Sequence, residues 1–90
     1  MTDLQTIPGI GPSLERDLLA LGVRQVPDLR GADPEALYER LRIMRGGTMD
    51  RCVLYAFRCA VYFAEHDHHD PERLKWWNWK DTAAGPARLR

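Results

Sequence analysis

Ile7-Pro8-Gly9-Ile10-Gly11 is the stretch on which the reading of this chain turns. Two glycines one residue apart let the backbone bend tightly, and one or both can hold φ > 0 without a Cβ clash. Pro8 fixes the approach to the turn, and Pro12 suits the first position of a helix after it. A short segment, Asp3-Leu4-Gln5-Thr6, precedes the turn. An amphipathic stretch follows, with Leu14, Leu18 and Leu21 at helical spacing and Gly22 as a stop. A helix beginning at Pro12 opens with N–H groups that have no partner inside it, aimed back at the turn. Such a nest of donors, with the positive end of a helix dipole behind it, suits a phosphate oxygen.

Two familiar phosphate turns are excluded. A dinucleotide-binding fingerprint needs a preceding strand, a third glycine and an acid about 20 residues on. Leu4-Gln5-Thr6-Ile7 is too short and polar for a buried strand, and the third glycine is missing. A P-loop needs Gly-Lys-Ser/Thr, which does not follow. The remaining pattern, helix, Pro-Gly-Ile-Gly, helix, resembles the helix-hairpin-helix motif, which in many DNA-repair and recombination proteins holds a DNA backbone without reading its sequence. The same residues also suit a plain helix–helix corner that needs two glycines.

Size and composition bound the rest. Ninety residues give one domain, able to fold alone but too small to enclose a deep enzymatic cleft. No run of about 18 apolar residues predicts a membrane span, and Met1-Thr2-Asp3 lacks the basic start and apolar stretch of a signal peptide. Cys52 and Cys59 fall seven apart on one expected helix, about 10 Å along its axis, too far for a bridge. They read as reduced core thiols of a cytoplasmic protein. Thirteen basic residues balance thirteen acidic ones, and neither half is skewed: residues 1–45 carry six against seven, residues 46–90 seven against six. Non-specific duplex binding rests on a basic footprint that releases counterions. Any nucleic-acid affinity here must come from a local patch and be weak.

Apolar positions recur at three and four throughout, so the whole chain reads as helical. A short turn of helix is expected near Pro27-Asp28-Leu29-Arg30. Asp33-Pro34-Glu35 then announces a helix, with an Asp cap, Pro at its first position and an acid in its first turn. That helix offers Leu37, Tyr38, Leu41 and Met44 to a core and stops at Gly46-Gly47. Thr48 or Asp50 caps the longest helix, which runs to about Glu65, and Asp70-Pro71-Glu72 starts a short final one holding Leu74, Trp76 and Trp77. Residues 82–90 lack an apolar period and read as a flexible C-terminal tail, leaving residues 1–81 as the domain. The expected fold is all-α: five to six short helices in a tandem helix-hairpin-helix, SAM-like domain. Its second hairpin, Met44-Arg45-Gly46-Gly47-Thr48, is degenerate.

The remaining segments sharpen this. Val26-Pro27-Asp28-Leu29, Asp33-Pro34-Glu35-Ala36-Leu37-Tyr38, Asp50-Arg51-Cys52-Val53-Leu54-Tyr55, Phe57-Arg58-Cys59-Ala60-Val61-Tyr62 and Leu74-Lys75-Trp76-Trp77-Asn78-Trp79-Lys80-Asp81 follow the hairpin in one order. From Leu4 to Asp81 the chain resembles the small bacterial pathogenicity-locus family of helix-hairpin-helix proteins, some of which carry a mitomycin-resistance label. Its front half is also similar to the C-terminal domain of competence regulators of the TfoX type. The resemblance implies that Gly9, Ile10, Gly11 and Ser13, with Arg16 and Arg45, meet DNA phosphates. It also implies that the carbonyls of Gln5, Ile7 and Ile10 hold a monovalent cation. Two positions depart from the motif: Ser13 stands where DNA-binding members often carry Lys, and Glu15 where a small Ala is favoured.

Other constellations admit two readings each. Arg51, Tyr55, Arg58, Tyr62 and Glu65 line one helix face, either as contacts to phosphate and bases or as a solvent face on which Arg58 pairs with Glu65 or Asp50. Met49, Cys52, Val53, Ala56, Cys59, Ala60 and Phe63 form a core face, and Leu54, Phe57 and Val61 a second apolar one. A helix apolar on two sides is central or at an interface, so homodimerisation through residues 49–65 is an alternative to a monomer. His66, His68 and His69, near Asp67 and Asp70, read as polar residues of a helix end, with no ligand spacing for a metal site. Trp76, Trp77 and Trp79, beside Lys75 and Lys80, suit either a stacking platform for single strands or an aromatic ligand, or a cover over an open core. No nucleophile arrangement stands out, and no cofactor beyond the cation is implied. The chain therefore reads as a non-enzyme: a weak, sequence-independent binder of DNA backbone, or a protein-interaction adaptor that keeps the fold without DNA.

Overall fold

Three α-helices and four 3-10 turns make up residues 3–79, the part of the chain that the computed structural model describes. The helices are α1 (Pro12–Ala20), α2 (Pro34–Met44) and α3 (Arg51–Glu65), and the 3-10 turns span Asp3–Thr6, Val26–Leu29, Pro71–Leu74 and Trp76–Trp79. No strand occurs among the described residues, so the architecture is all-α. Instead of the five to six short helices expected, the described residues hold three α-helices, with one 3-10 turn before α1, one between α1 and α2, and two after α3. Lys80, Asp81 and the tail expected over residues 82–90 lie outside the described residues.

The Asp-Pro-Glu signals work as the sequence implies. The Asp33 carboxylate accepts the Glu35 N–H at 3.0 Å and opens α2, and Asp70 does the same for Glu72. Asp50 caps α3 through the Cys52 N–H at 2.9 Å, and that bond holds its carboxyl below the usual range. α1 ends in a Schellman motif: Val23 N–H donates to the Leu18 carbonyl, Gly22 N–H to that of Leu19, and Leu18 and Val23 are both buried. At the end of α3, rings of His66 and His69 bond the Tyr62 and Phe63 carbonyls at 2.9 Å, and His69 stacks on Phe63. The histidines thus close a helix end that otherwise leaves carbonyls unpaired.

α3 is the centre of the molecule. It packs against α2, the Val26–Leu29 turn and both C-terminal turns, and Leu54, Phe57, Ala60 and Val61 join Leu4, Ile7, Leu18, Leu29 and Leu41 in one core. Fully burying a side chain such as Phe57 is worth roughly 1.5–3 kcal/mol. The Leu54/Phe57/Val61 face is therefore filled from within the chain and leaves no open apolar stripe of that kind for a homodimer.

Three further expectations are corrected. Met44 is 55% exposed rather than in the core, because α2 runs past the core at its last turn. Cys52 is exposed beside the α3 cap, while Cys59 is the buried thiol, pushed up to about 11 by desolvation. Arg58 and Tyr62 lie inside rather than on a solvent face. Arg58 pairs with Glu35, not Glu65 or Asp50, and donates through Nη1 to the Trp79 carbonyl at 2.8 Å. A single guanidinium thereby ties the start of α2 to the C-terminal turn.

Candidate functional site

The Asp3–Thr6 turn feeds directly into the hairpin: Ile7 N–H donates to the Leu4 carbonyl and Ile10 N–H to that of Ile7, both at 3.1 Å. Buried Leu4, Ile7 and Ile10 anchor the loop from below. Of the two glycines only Gly9 needs its freedom, at φ +88°. Gly11 is the extended residue before α1, at φ −96° and ψ −173°, with Pro12 behind it and no side-chain cap. The N–H groups of Gly9, Gly11, Ser13 and Leu14 have no hydrogen-bond partner among the described residues. Gly9 and Ser13 are exposed. Four donors therefore surround the first turn of α1, where the dipole is positive.

The other expected site residues are distributed unevenly around this nest. Ile10 contributes no free N–H, since its own is spent on Ile7. Of the carbonyls assigned to a cation, that of Ile7 already accepts this bond, and Gln5 turns its amide to Glu15 Oε1 at 2.9 Å. Glu15 is buried and braces the Asp3–Thr6 turn against α1. Arg16 is exposed and has no ion pair among the described residues. Arg45 is paired with Asp17 of α1, so its charge is spent inside the chain.

The second glycine pair behaves differently from the first. Gly46 and Gly47 sit at φ +92° and +98°, but their N–H groups donate to the Ile43 and Arg42 carbonyls at 3.2 and 2.8 Å. This is a Schellman stop for α2. Its donors are consumed by the helix they terminate.

The three tryptophans do three separate jobs. Trp79 is buried against Tyr62, and its Nε1–H donates to the Arg73 carbonyl at 2.7 Å. Trp76 lies on the hairpin: a Cβ at Gly9 would stand 3.1 Å from its Cδ1. Trp77 meets Trp76 edge-on, with centroids 5.7 Å apart, and is 47% exposed. Gly9 is therefore doubly constrained, by its backbone conformation and by an indole that leaves no room for a side chain. Nothing in the local sequence of either segment signals this contact.

A small all-α domain with a donor-lined turn at the head of α1 is the class defined so far. The chain belongs to the pathogenicity locus (Cdd1) family, which it matches over residues 1–84. It is 34% identical over 80 residues to the mitomycin resistance protein McrB of Streptomyces lavendulae, an alignment covering 82% of this chain and 76% of that protein. No solved structure matches it.

Proposed function

We propose that the Gly9–Leu14 segment grips the phosphate backbone of DNA, making this a non-catalytic helix-hairpin-helix module that binds weakly and without sequence preference. The observation that carries this reading is the set of unpartnered N–H groups on Gly9, Gly11, Ser13 and Leu14 at the start of a nine-residue helix. Main-chain donors backed by a helix dipole favour an oxyanion and carry no base information. Arg16 adds the nearest cation on the same helix. Arg45 contributes only if Asp17 releases it. The carbonyls of Gln5 and Ile10 are the sites left for a monovalent cation at the turn. The resemblance to tandem helix-hairpin-helix proteins and to the TfoX C-terminal domain supports the same assignment, with the Gly46-Gly47 turn serving as a helix stop.

The test is a salt titration of binding to a duplex of arbitrary sequence. Affinity should fall as salt rises, with a shallow slope of about one to three released counterions, because few cations surround the turn. Binding that is insensitive to salt excludes a phosphate grip.

A second reading, a protein-interaction adaptor, is favoured by one specific observation. Ile43 and Met44 are 65% and 55% exposed at the end of α2, on a chain of zero formal net charge. Substituting both with Gln leaves DNA affinity unchanged on the first reading and abolishes partner binding on the second.

A further inference from the structure

Trp76 and Trp77 bring groups that the core leaves unused to the side of the hairpin. Three residues make one turn of a 3-10 helix, so Trp76 and Trp79 fall on one side of the Trp76–Trp79 turn and Trp77 points away from it. The shared side packs on the Cys59 and Tyr62 cluster. Trp77 is left 47% exposed, and Trp76, edge-on to it, is the one ring that meets it among the described residues. At least one face of the Trp77 indole is therefore clear of other rings.

Trp76 carries the second unused group. Its Cδ1 lies against Gly9, 3.1 Å from where a Cβ would stand. The Nε1–H bonded to that carbon has no hydrogen-bond partner among the described residues. It is not a buried, unsatisfied atom, so it reaches solvent. An indole nitrogen only donates. It stands beside the main-chain donors of Gly9, Gly11, Ser13 and Leu14 as a side-chain donor of the same kind.

We propose that the hairpin takes a DNA strand whose bases are unpaired. The amides of the Gly9–Leu14 segment and the Trp76 Nε1–H hold a phosphate, and Trp77 stacks on the neighbouring base. This rests on the phosphate grip proposed above and adds its substrate class. Inside a duplex both faces of each base are covered by the bases next to it, and an indole beside the backbone has nothing to stack on. An unpaired base offers its face, and such stacking tolerates any sequence. Lys75 is paired with Glu72 at 2.9 Å, so the turn contributes a ring rather than charge.

The test measures the affinity of the whole chain, per phosphate, for three DNAs: oligothymidylate, the same backbone without bases, and a long duplex whose ends are few. A grip on phosphates alone favours the duplex, whose charge density is higher. With Trp77 stacking, oligothymidylate should bind about tenfold tighter than either of the others. It should move the indole N–H NMR signals of Trp76 and Trp77 and leave that of Trp79 in place. Trp77→Ala should weaken oligothymidylate about five- to tenfold and leave duplex affinity within about twofold. Trp77→Phe keeps a flat ring and should retain most of the single-strand affinity. Trp77 is exposed, so neither variant empties the core. Duplex bound as tightly as oligothymidylate overturns this proposal and leaves the phosphate grip standing. So does a Trp77→Ala variant that binds oligothymidylate unchanged or weakens on both DNAs alike. Binding to none of the three overturns both.

Discussion

Replacing Gly9 by Ala tests how tightly the hairpin is specified. At φ +88° an L side chain costs roughly 1–2 kcal/mol. The new methyl also stands 3.1 Å from Trp76 Cδ1, inside the ordinary carbon–carbon separation of about 3.5–4.0 Å. The indole must therefore shift, adding on the order of 1 kcal/mol. The sum, about 2–3 kcal/mol, corresponds to a fall of about 8–24 °C in Tm for a domain of this size. Gly11→Ala is the internal control. Its φ is −96° and nothing lies within 4 Å of its added Cβ, so only a weaker helix cap is lost, about 0.5–1 kcal/mol. Thermal unfolding followed by far-UV circular dichroism reads both variants. Placing Gly9→Ala on a Trp76→Ala background should return the steric share, a coupling of about 1 kcal/mol, and leave the backbone share in place. Equal losses at Gly9 and Gly11, or no loss at Gly9, would refute the reasoning.

Four other outcomes are expected. Cys52 should react with iodoacetamide in the native protein while Cys59 stays protected until unfolding, as counted by mass spectrometry. Because the Cys59 thiol ionises at about 11 folded against an ordinary 9.0, stability should be flat below about pH 9. It should then fall by about 2–3 kcal/mol as pH rises to about 11, and Cys59→Ala should remove that slope in denaturant titrations. Arg58→Ala leaves the Trp79 carbonyl and Glu35 without their shared donor. Since Glu35 is 54% exposed, the cost should be about 1–3 kcal/mol by urea unfolding, below that of a fully buried pair. Arg16→Ala should weaken duplex binding and reduce the salt slope by about one, whereas Arg45→Ala, whose charge is held by Asp17, should leave the slope unchanged.

The helix starts were legible because Asp-Pro-Glu states its own mechanism: a carboxylate for a free N–H, and a ring that fits the first turn. The positive φ at Gly9 was legible from glycine alone. The meaning of Gly46-Gly47 was not. A helix stop and an anion nest share glycines and differ in which carbonyl takes each N–H, which no residue letter records. The role of Leu54, Phe57 and Val61 was ambiguous for a related reason, since a helix apolar on two sides fits a centre or an interface equally well. Arg58 finding Glu35, and Trp76 finding Gly9, join segments 23 and 67 residues apart. Local periodicity carries no information about such pairs. In the candidate site the sequence named Gly9, Gly11 and Ser13 but also Arg45 and Ile10, whose groups prove to be occupied by neighbours only tertiary structure supplies.

The central claim is that main-chain hydrogens at the head of α1 hold a phosphate. It is tested most directly by following the backbone amide NMR signals during titration with a short duplex. The account predicts that the Gly9, Gly11, Ser13 and Leu14 signals move first and furthest, and that those of Gly46 and Gly47 stay fixed. Movement centred on Gly46 and Gly47, or none at Gly9 and Gly11 when duplex is bound, contradicts it.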